Sequence, residues 1–142
     1  MSDPVFVFGS NLAGRHGAGA AKWAVENRGA IYGKGIGLQG NSYAIPTKDR
    51  NIKTLPLESI WPFVLEFMVA ARNMPDTEFQ LTPIGCGLAG YTPEQIAPMF
   101  KGSPPNVVMP PEFAEVLTRE AATPKSTYIK RPYAGSDERK PR

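Results

Sequence analysis

The sequence predicts an α/β fold in which a mainly parallel sheet lies between helices. Short apolar runs of strand type alternate along the chain with longer stretches of helical periodicity, and glycine-rich or polar turns follow the strands. The chain has 142 residues, of which 42% are hydrophobic and 20% charged, as in a globular domain with a buried core. We therefore expect one small three-layer domain over residues 1–124 and a separate tail over residues 125–142.

The first strand and helix are expected near the start of the chain. Four consecutive apolar residues, Val5 to Phe8, are typical of a strand buried on both faces, and Gly9 is expected to end it. Residues 18–28 carry a small apolar face, which predicts a helix, and Gly29 is a natural stop signal after it. We interpret Trp23 as a core residue of this helix.

The next segment contains a literal G-x-G-x-x-G pattern at Gly35, Gly37 and Gly40. A dinucleotide-binding fingerprint of this kind follows a strand and opens a helix. Here the pattern precedes a strand-like segment, residues 42–45, so it does not meet that requirement. We interpret it as a loop or a hairpin.

The second half of the chain repeats the alternation of helix and strand. Residues 57–74 show helical apolar spacing, and Pro62 predicts that the regular helix starts near Ser59, because proline is tolerated in a first turn. Thr92 and Gln95 have the types and spacing of a capping box at a helix start. The remaining expected elements are strands at 78–84 and 106–109 and a last helix at 112–122.

Three loops, residues 9–17, 46–50 and 85–91, are expected at one edge of the sheet, because right-handed crossovers bring the carboxyl ends of parallel strands together. The first and third loops are glycine-rich and join a strand to a helix. A helix N-terminus offers unpaired N–H groups and the positive end of the helix dipole, which favour an anion. The pair of loops favours a diphosphate ligand; tight packing of helix on sheet also explains their glycines.

Composition narrows the classes of protein and partner. The net charge of +3 is concentrated in the tail, where residues 125–142 hold six Lys or Arg residues and two acidic ones. Such a tail suits nucleic acid but is more often a solvated terminus. The single cysteine excludes an internal disulfide, and no apolar run has membrane-spanning length. We expect a cytoplasmic protein with no membrane partner, no metal and no cofactor.

The loops resemble those of macrodomain-like ADP-ribose-binding proteins. The segment from Ser10 to Ala21 is similar to a macrodomain loop in which an asparagine precedes a glycine run and a helix. Residues 84–91, Ile-Gly-Cys-Gly-Leu-Ala-Gly-Tyr, resemble the second phosphate loop, particularly in the branch of the terminal ADP-ribose protein glycohydrolase. Residues 43–48 are similar to a further segment of that branch. The resemblance, which extends to uncharacterised proteins of bacteria and phages, spans residues 5–120.

The resemblance implies that ADP-ribose or a relative binds with its diphosphate between the two loops. Lys48 matches a lysine that acts as nucleophile in the glycohydrolase branch, with Asp49 as a possible substitute for that branch's aspartate, since Ala89 stands in the aspartate's place. Asn11 would approach the distal ribose. The ligand-binding residues implied are Asn11, His16, Gly17, Ala18, Gly19, Thr47, Gly85, Cys86, Gly87, Leu88, Ala89, Gly90 and Tyr91.

A different chemistry would pair Cys86, as a thiolate, with His16 as its base. Cys86 comes shortly before an expected helix N-terminus, where the pKa of a thiol falls. The alternative interpretation is that Cys86 is a small buried residue and that His16 bonds to the backbone of its loop.

Three functions remain open from the sequence. The first is a non-catalytic reader or sponge of an ADP-ribose- or NAD-derived signal, and the missing aspartate favours it. The second is an ADP-ribosyl glycohydrolase that removes ADP-ribose from protein or nucleic acid with Lys48 as nucleophile. The third is a nucleic-acid-binding protein that uses the tail at 125–142. The sequence does not fix the oligomeric state.

Overall fold

A computed structural model of the chain describes residues 3–122, so the basic tail at 125–142 lies outside the described residues. The elements in chain order are β1 (Val5–Asn11), α1 (Gly19–Asn27), β2 (Gly37–Gln39), β3 (Ser42–Lys48), α2 (Leu57–Arg72), β4 (Phe79–Leu81), α3 (Pro93–Ile96), a 3-10 helix (Ala97–Phe100), β5 (Val107–Val108) and α4 (Pro111–Ala122). The strands form one sheet in the order β2-β3-β1-β4-β5. Neighbouring strands are parallel except β2, which pairs with β3 in the antiparallel sense.

The central strand β1 is covered on both faces because its side chains alternate. Val5 and Val7 pack into the core beneath α2, α4 and the 3-10 helix, whereas Phe6 and Phe8 pack with the residues of α1. The α/β fold with a mainly parallel sheet between helices is therefore confirmed. The run of four apolar residues follows from this position, since neither face of the strand meets water.

The two faces of the sheet have cores of different thickness. On the α2 face, Phe67 lies edge-on to Tyr43, Phe79 and Phe100, with ring centroids 5.2, 5.6 and 6.2 Å apart. On the other face, α1 presents buried alanines, Ala21 and Ala24 among them, to the sheet. Small side chains let the backbone of α1 approach the sheet closely, which places its N-terminus beside the end of β1.

Several expected element boundaries are wrong. The strand expected at 78–84 is the shorter β4, which ends at Leu81. β1 does not end at Gly9 but pairs with β3 through Asn11. α2 begins at Leu57, two residues before the expected Ser59, since the carbonyl of Pro56 already accepts hydrogen bonds from the next turn. Pro62 sits inside α2, where its missing N–H removes one helical hydrogen bond.

Trp23 is not a core residue, contrary to the sequence-based expectation. Its side chain is 41% exposed. The ring lies 4.7 Å from that of Phe6 between centroids, and the guanidinium of Arg28 lies 4.9 Å from its centroid. Trp23 therefore covers the outer edge of the α1 core while one end of the indole remains in water.

The glycine-rich segment 33–40 packs against the chain that leaves β1. A Cβ built on Gly35 would lie 2.2 Å from the carbonyl oxygen of Asn11, and one on Gly14 would lie 2.3 Å from the carbonyl carbon of Gly33. The hydroxyl of Ser10 donates to the carbonyl of Gly35 at 2.5 Å. Since β2 then turns back onto β3, the hairpin interpretation is confirmed. Gly35 and Gly40 allow close backbone contact in this segment.

The contact at Gly35 gives a testable prediction for stability. We expect Gly35→Ala to destabilise the protein by about 1–3 kcal/mol, because the new methyl group meets backbone that cannot rotate away. Gly17→Ala is the matched control, since a Cβ there meets nothing within 4 Å. Urea unfolding of the two variants measures the difference, and equal midpoints for both would contradict the prediction.

Candidate functional site

A cleft of about 750 Å³ opens at the carboxyl ends of β1, β3 and β4. Its walls come from the chain that runs from Gly9 into α1, from the end of β3 and from the segment 82–89. The three loops expected to converge at one edge of the sheet therefore meet. This follows from parallel strands joined by crossovers, which place their carboxyl ends side by side.

Most of the residues expected to bind a ligand line this cleft. They are Asn11, Gly17, Ala18, Gly19, Thr47, Lys48, Gly85, Cys86, Gly87, Leu88 and Ala89. Four others, His16, Asp49, Gly90 and Tyr91, are not among the residues that line it. Binding itself remains a prediction for the residues in the cleft.

Asn11 shapes the first loop with both ends of its amide. Its Nδ2 donates to the carbonyl of Arg15 at 3.0 Å, and its Oδ1 accepts from the N–H of Arg15 at 2.9 Å. The side chain is buried at the cleft wall. These two hydrogen bonds fix the conformation of the loop that leads to α1. The main role of Asn11 is therefore to set the shape of the site.

The N-terminus of α1 is open toward the cleft. Ala18, the capping residue, is extended and provides no side-chain hydrogen bond, and no acidic residue lies in the first turn. A Cβ added at Gly17 or at Gly19 would meet nothing within 4 Å. The first-turn N–H groups and the helix dipole are therefore available to an anion that comes close to the backbone.

The second loop differs, because the short α3 caps its own N-terminus. The hydroxyl of Thr92 accepts from the N–H of Gln95 at 3.3 Å, and Oε1 of Gln95 accepts from the N–H of Thr92 at 2.9 Å. The capping box is thus confirmed. The same bonds occupy the N–H groups of Thr92 and Gln95, so the start of α3 offers fewer free donors than the uncapped first turn of α1.

The second loop instead presents backbone donors of its own. Within residues 3–122, the N–H groups of Gly87, Leu88 and Ala89 donate to no other group of the protein. A Cβ at Gly87 would meet nothing within 4 Å, so the backbone there is accessible from the cleft. Successive free N–H groups in a turn form a concave surface that suits an anion.

Tyr91 braces the second loop from behind. Its hydroxyl donates to the carbonyl of Leu55 at 2.7 Å, and its N–H donates to the carbonyl of Gly85 at 2.8 Å. The hydroxyl of Thr54 donates to the carbonyl of Ala89 at 2.9 Å. Tyr91 therefore holds the loop in place from outside the cleft lining.

Lys48 and Asp49 are neighbours in sequence with different surroundings. Lys48, half-buried at the end of β3, lines the cleft. Oδ1 of Asp49 accepts from the N–H groups of Asn51 and Lys53 at 2.8 and 3.0 Å, which closes the turn after β3. The carboxylate of Asp49 is thus engaged in its own turn, outside the cleft lining, and its role as a substitute for the aspartate stays a prediction.

Cys86 and His16 do not form a catalytic pair in the described part of the chain. His16 is buried, with Nε2 at 2.9 Å from the carbonyl oxygen of Lys34 and at 3.3 Å from Oε1 of Gln39. Burial raises the pKa of the Cys86 thiol, and the nearby carboxylates of Glu112 and Glu94 raise it further. The expectation of a lowered thiol pKa is therefore wrong.

Sequence reasoning missed several cleft residues, and four of them carry chemistry or exposed apolar surface: Arg15, Tyr32, Ile52 and Glu112. Arg15 lies within the predicted first loop, so its position could have been found there. Ile52 lines the cleft and has a left-handed backbone conformation, φ +64°, which the sequence does not predict for isoleucine. Glu112 comes from the first turn of α4, and only the packing of that helix brings it near the loops.

Two further properties concern metals and membranes. Across residues 3–122, no three His, Cys, Asp or Glu side chains are grouped so that they could hold a metal ion. In the same range, no helix combines the length and the apolar character needed to cross a bilayer.

The fold and the cleft define an α/β protein with a cleft at the carboxyl edge of a mainly parallel sheet. Comparison of the chain with protein-family models, with curated proteins and with solved structures finds no match in any of the three. The function is therefore inferred from the cleft itself.

The surroundings of Cys86 predict its reactivity. Because the pKa of its thiol is raised, the thiolate forms only above the pH at which an ordinary cysteine ionises, and the thiolate is the form that reacts. We expect the pH profile of iodoacetamide alkylation to lie at higher pH in the folded protein than in the urea-unfolded chain. Cys86 is the only cysteine, so the signal is unambiguous. A folded profile displaced to lower pH would restore the thiolate hypothesis.

Proposed function

We propose that the protein binds ADP-ribose, or a related nucleotide derived from ADP-ribose or NAD, in the cleft. The observation that carries the proposal is the pair of backbone donor sets that face the same space. One is the uncapped first turn of α1, and the other is the row of free N–H groups at 87–89. A diphosphate placed between them would meet donors on both sides.

The size and the charge of the cleft support a nucleotide. A volume of about 750 Å³ falls within the range of small-molecule sites, roughly 300–1,000 Å³. Arg15 and Lys48, which line the cleft, add positive charge on the side of the first loop and of β3. These cations favour the phosphates without needing contact with the sugar or the base.

The rim of the cleft supports a ligand with a flat apolar part. Tyr32, Ile52 and Leu88 all line the cleft, and their side chains are 63%, 37% and 79% exposed. Exposed apolar groups gathered at one cleft are typical of binding sites. A nucleobase would pack on these side chains while the diphosphate contacts the backbone donors. Inorganic phosphate alone would not need an apolar rim.

Binding is favoured over hydrolysis. Glycosidic cleavage at ribose passes through a cationic transition state that a nearby carboxylate stabilises. Ala89 has no carboxylate, and the carboxylate of Asp49 accepts hydrogen bonds within its own turn. The glycohydrolase alternative keeps one supporting observation, the presence of Lys48 in the cleft, and its substrate would be an ADP-ribosylated protein or nucleic acid. The role proposed here is a reader or sponge of a nucleotide signal.

Substitution at Gly87 tests the proposal. We expect Gly87→Val to abolish binding of ADP-ribose in isothermal titration, because a Cβ there meets no protein atom within 4 Å and the valine side chain would occupy the space in front of the free N–H groups. Gly17→Val should act in the same way on the first loop. Thr118→Val, on the exposed side of α4, is the control for the fold. Unchanged affinity in a folded Gly87→Val protein would refute the proposed site.

Substitution at Lys48 separates a binder from a hydrolase. We expect Lys48→Ala to weaken ADP-ribose binding by about tenfold, the effect of one charge-assisted hydrogen bond. Lys53→Ala is the control, since Lys53 is exposed in the same segment and does not line the cleft. We expect the wild-type protein to release no ADP-ribose from an ADP-ribosylated protein. Reductive trapping of a ribose adduct on Lys48 would show the opposite, since only a nucleophilic amine forms it.

A further inference from the structure

Glu112 is an unusual member of a cleft built for an anion. It lies in the first turn of α4 and is the single carboxylate among the described residues that line the cleft. Its carboxylate makes no hydrogen bond or ion pair with another residue of the range 3–122. The nearest comparable acid, Glu94, is paired with Arg119 at 3.1 Å.

A helix-stabilising role accounts for only part of this position. An acidic residue in a first turn interacts favourably with the helix dipole, and Glu112 does so in α4. That role does not require Glu112 to line the cleft. Because a carboxylate repels phosphate, its presence there restricts the part of a ligand that can lie beside it to a neutral or cationic group.

The surroundings of Glu112 indicate which part of the ligand it meets. It lines the same cleft as Cys86 and Pro93, which belong to the second loop and to the start of α3. Its charge acts on the Cys86 thiol, which places the carboxylate close to the start of that loop. In ADP-ribose a ribose follows the diphosphate directly on either side, so a group next to the diphosphate-binding loop meets a sugar.

We propose that Glu112 accepts hydrogen bonds from the vicinal hydroxyls of the ribose next to the diphosphate and so selects ribonucleotides. The inference rests on the proposed function. An ionised carboxylate only accepts hydrogen bonds, and its two oxygens match two adjacent hydroxyl donors. The cleft thus combines donors for the phosphates with one acceptor pair for the sugar, and Glu112 determines specificity without taking part in chemistry.

The test measures affinity in the full chain by isothermal titration with three ligands. They are ADP-ribose and its two analogues that lack the 2-hydroxyl of the adenosine ribose or of the distal ribose. The variants are Glu112→Gln and Glu112→Ala, with Glu115→Gln as the control, because Glu115 is exposed on α4 and does not line the cleft. Thermal unfolding of each variant checks that the fold is retained.

We expect both Glu112 variants to lose about tenfold or more in affinity for ADP-ribose, and Glu115→Gln to lose none. One deoxy analogue should bind the wild type weakly and lose nothing further in Glu112→Gln, because the removed hydroxyl and the removed carboxylate are partners. Equal losses for all three ligands, or no loss for ADP-ribose, would overturn the inference.

NAD provides the remaining arm of the experiment. If Glu112 recognised the cationic nicotinamide ring, Glu112→Gln would weaken binding of NAD and leave that of ADP-ribose unchanged, which would overturn the inference while the proposed function stood. If the wild-type protein bound neither ADP-ribose nor NAD, the proposed function would fail, and the inference with it. The wild-type and variant arms therefore distinguish the two failures.

Discussion

The site depends on a close backbone contact between the chain that leaves β1 and the glycine-rich segment 33–40. Gly14 and Gly35 lie where any side chain would collide with backbone across the contact. The hydroxyl of Ser10 and the ring of His16 add hydrogen bonds to the carbonyls of Gly35 and Lys34. These buried hydrogen bonds hold the loop in one conformation.

The contact determines where the first helix begins. With the loop after β1 fixed, the amide of Asn11 closes the turn to Arg15 and the chain enters α1 without a side-chain cap. A free loop would let a serine, an aspartate or water satisfy the first-turn N–H groups. Here these groups face the cleft instead, and the small residues around them leave room for a ligand. The open N-terminus of α1 is thus a consequence of packing elsewhere.

The second loop reaches the same chemistry by another arrangement. α3 is four residues long and is closed by its own capping box, so its dipole contributes little at the cleft. The loop offers free N–H groups at 87–89 and is held from behind by Tyr91 and Thr54. The two walls therefore supply similar donors, and Glu112 is the single carboxylate among the described residues that line the cleft. Under the proposed function, this asymmetry would orient a bound nucleotide.

The sequence by itself determined the layered α/β fold, the convergence of three loops and the capping box, because apolar periodicity, parallel crossovers and cap chemistry are local or topological properties. It also indicated most of the cleft's glycine-rich wall. Only the tertiary structure decided the roles of single side chains. His16 and Tyr91 make hydrogen bonds that hold the loops, and Asp49 closes a turn. Glu112, on the last helix, lines the cleft. Such roles depend on which way a side chain points and on what packs against it, and contacts between residues far apart in sequence set both.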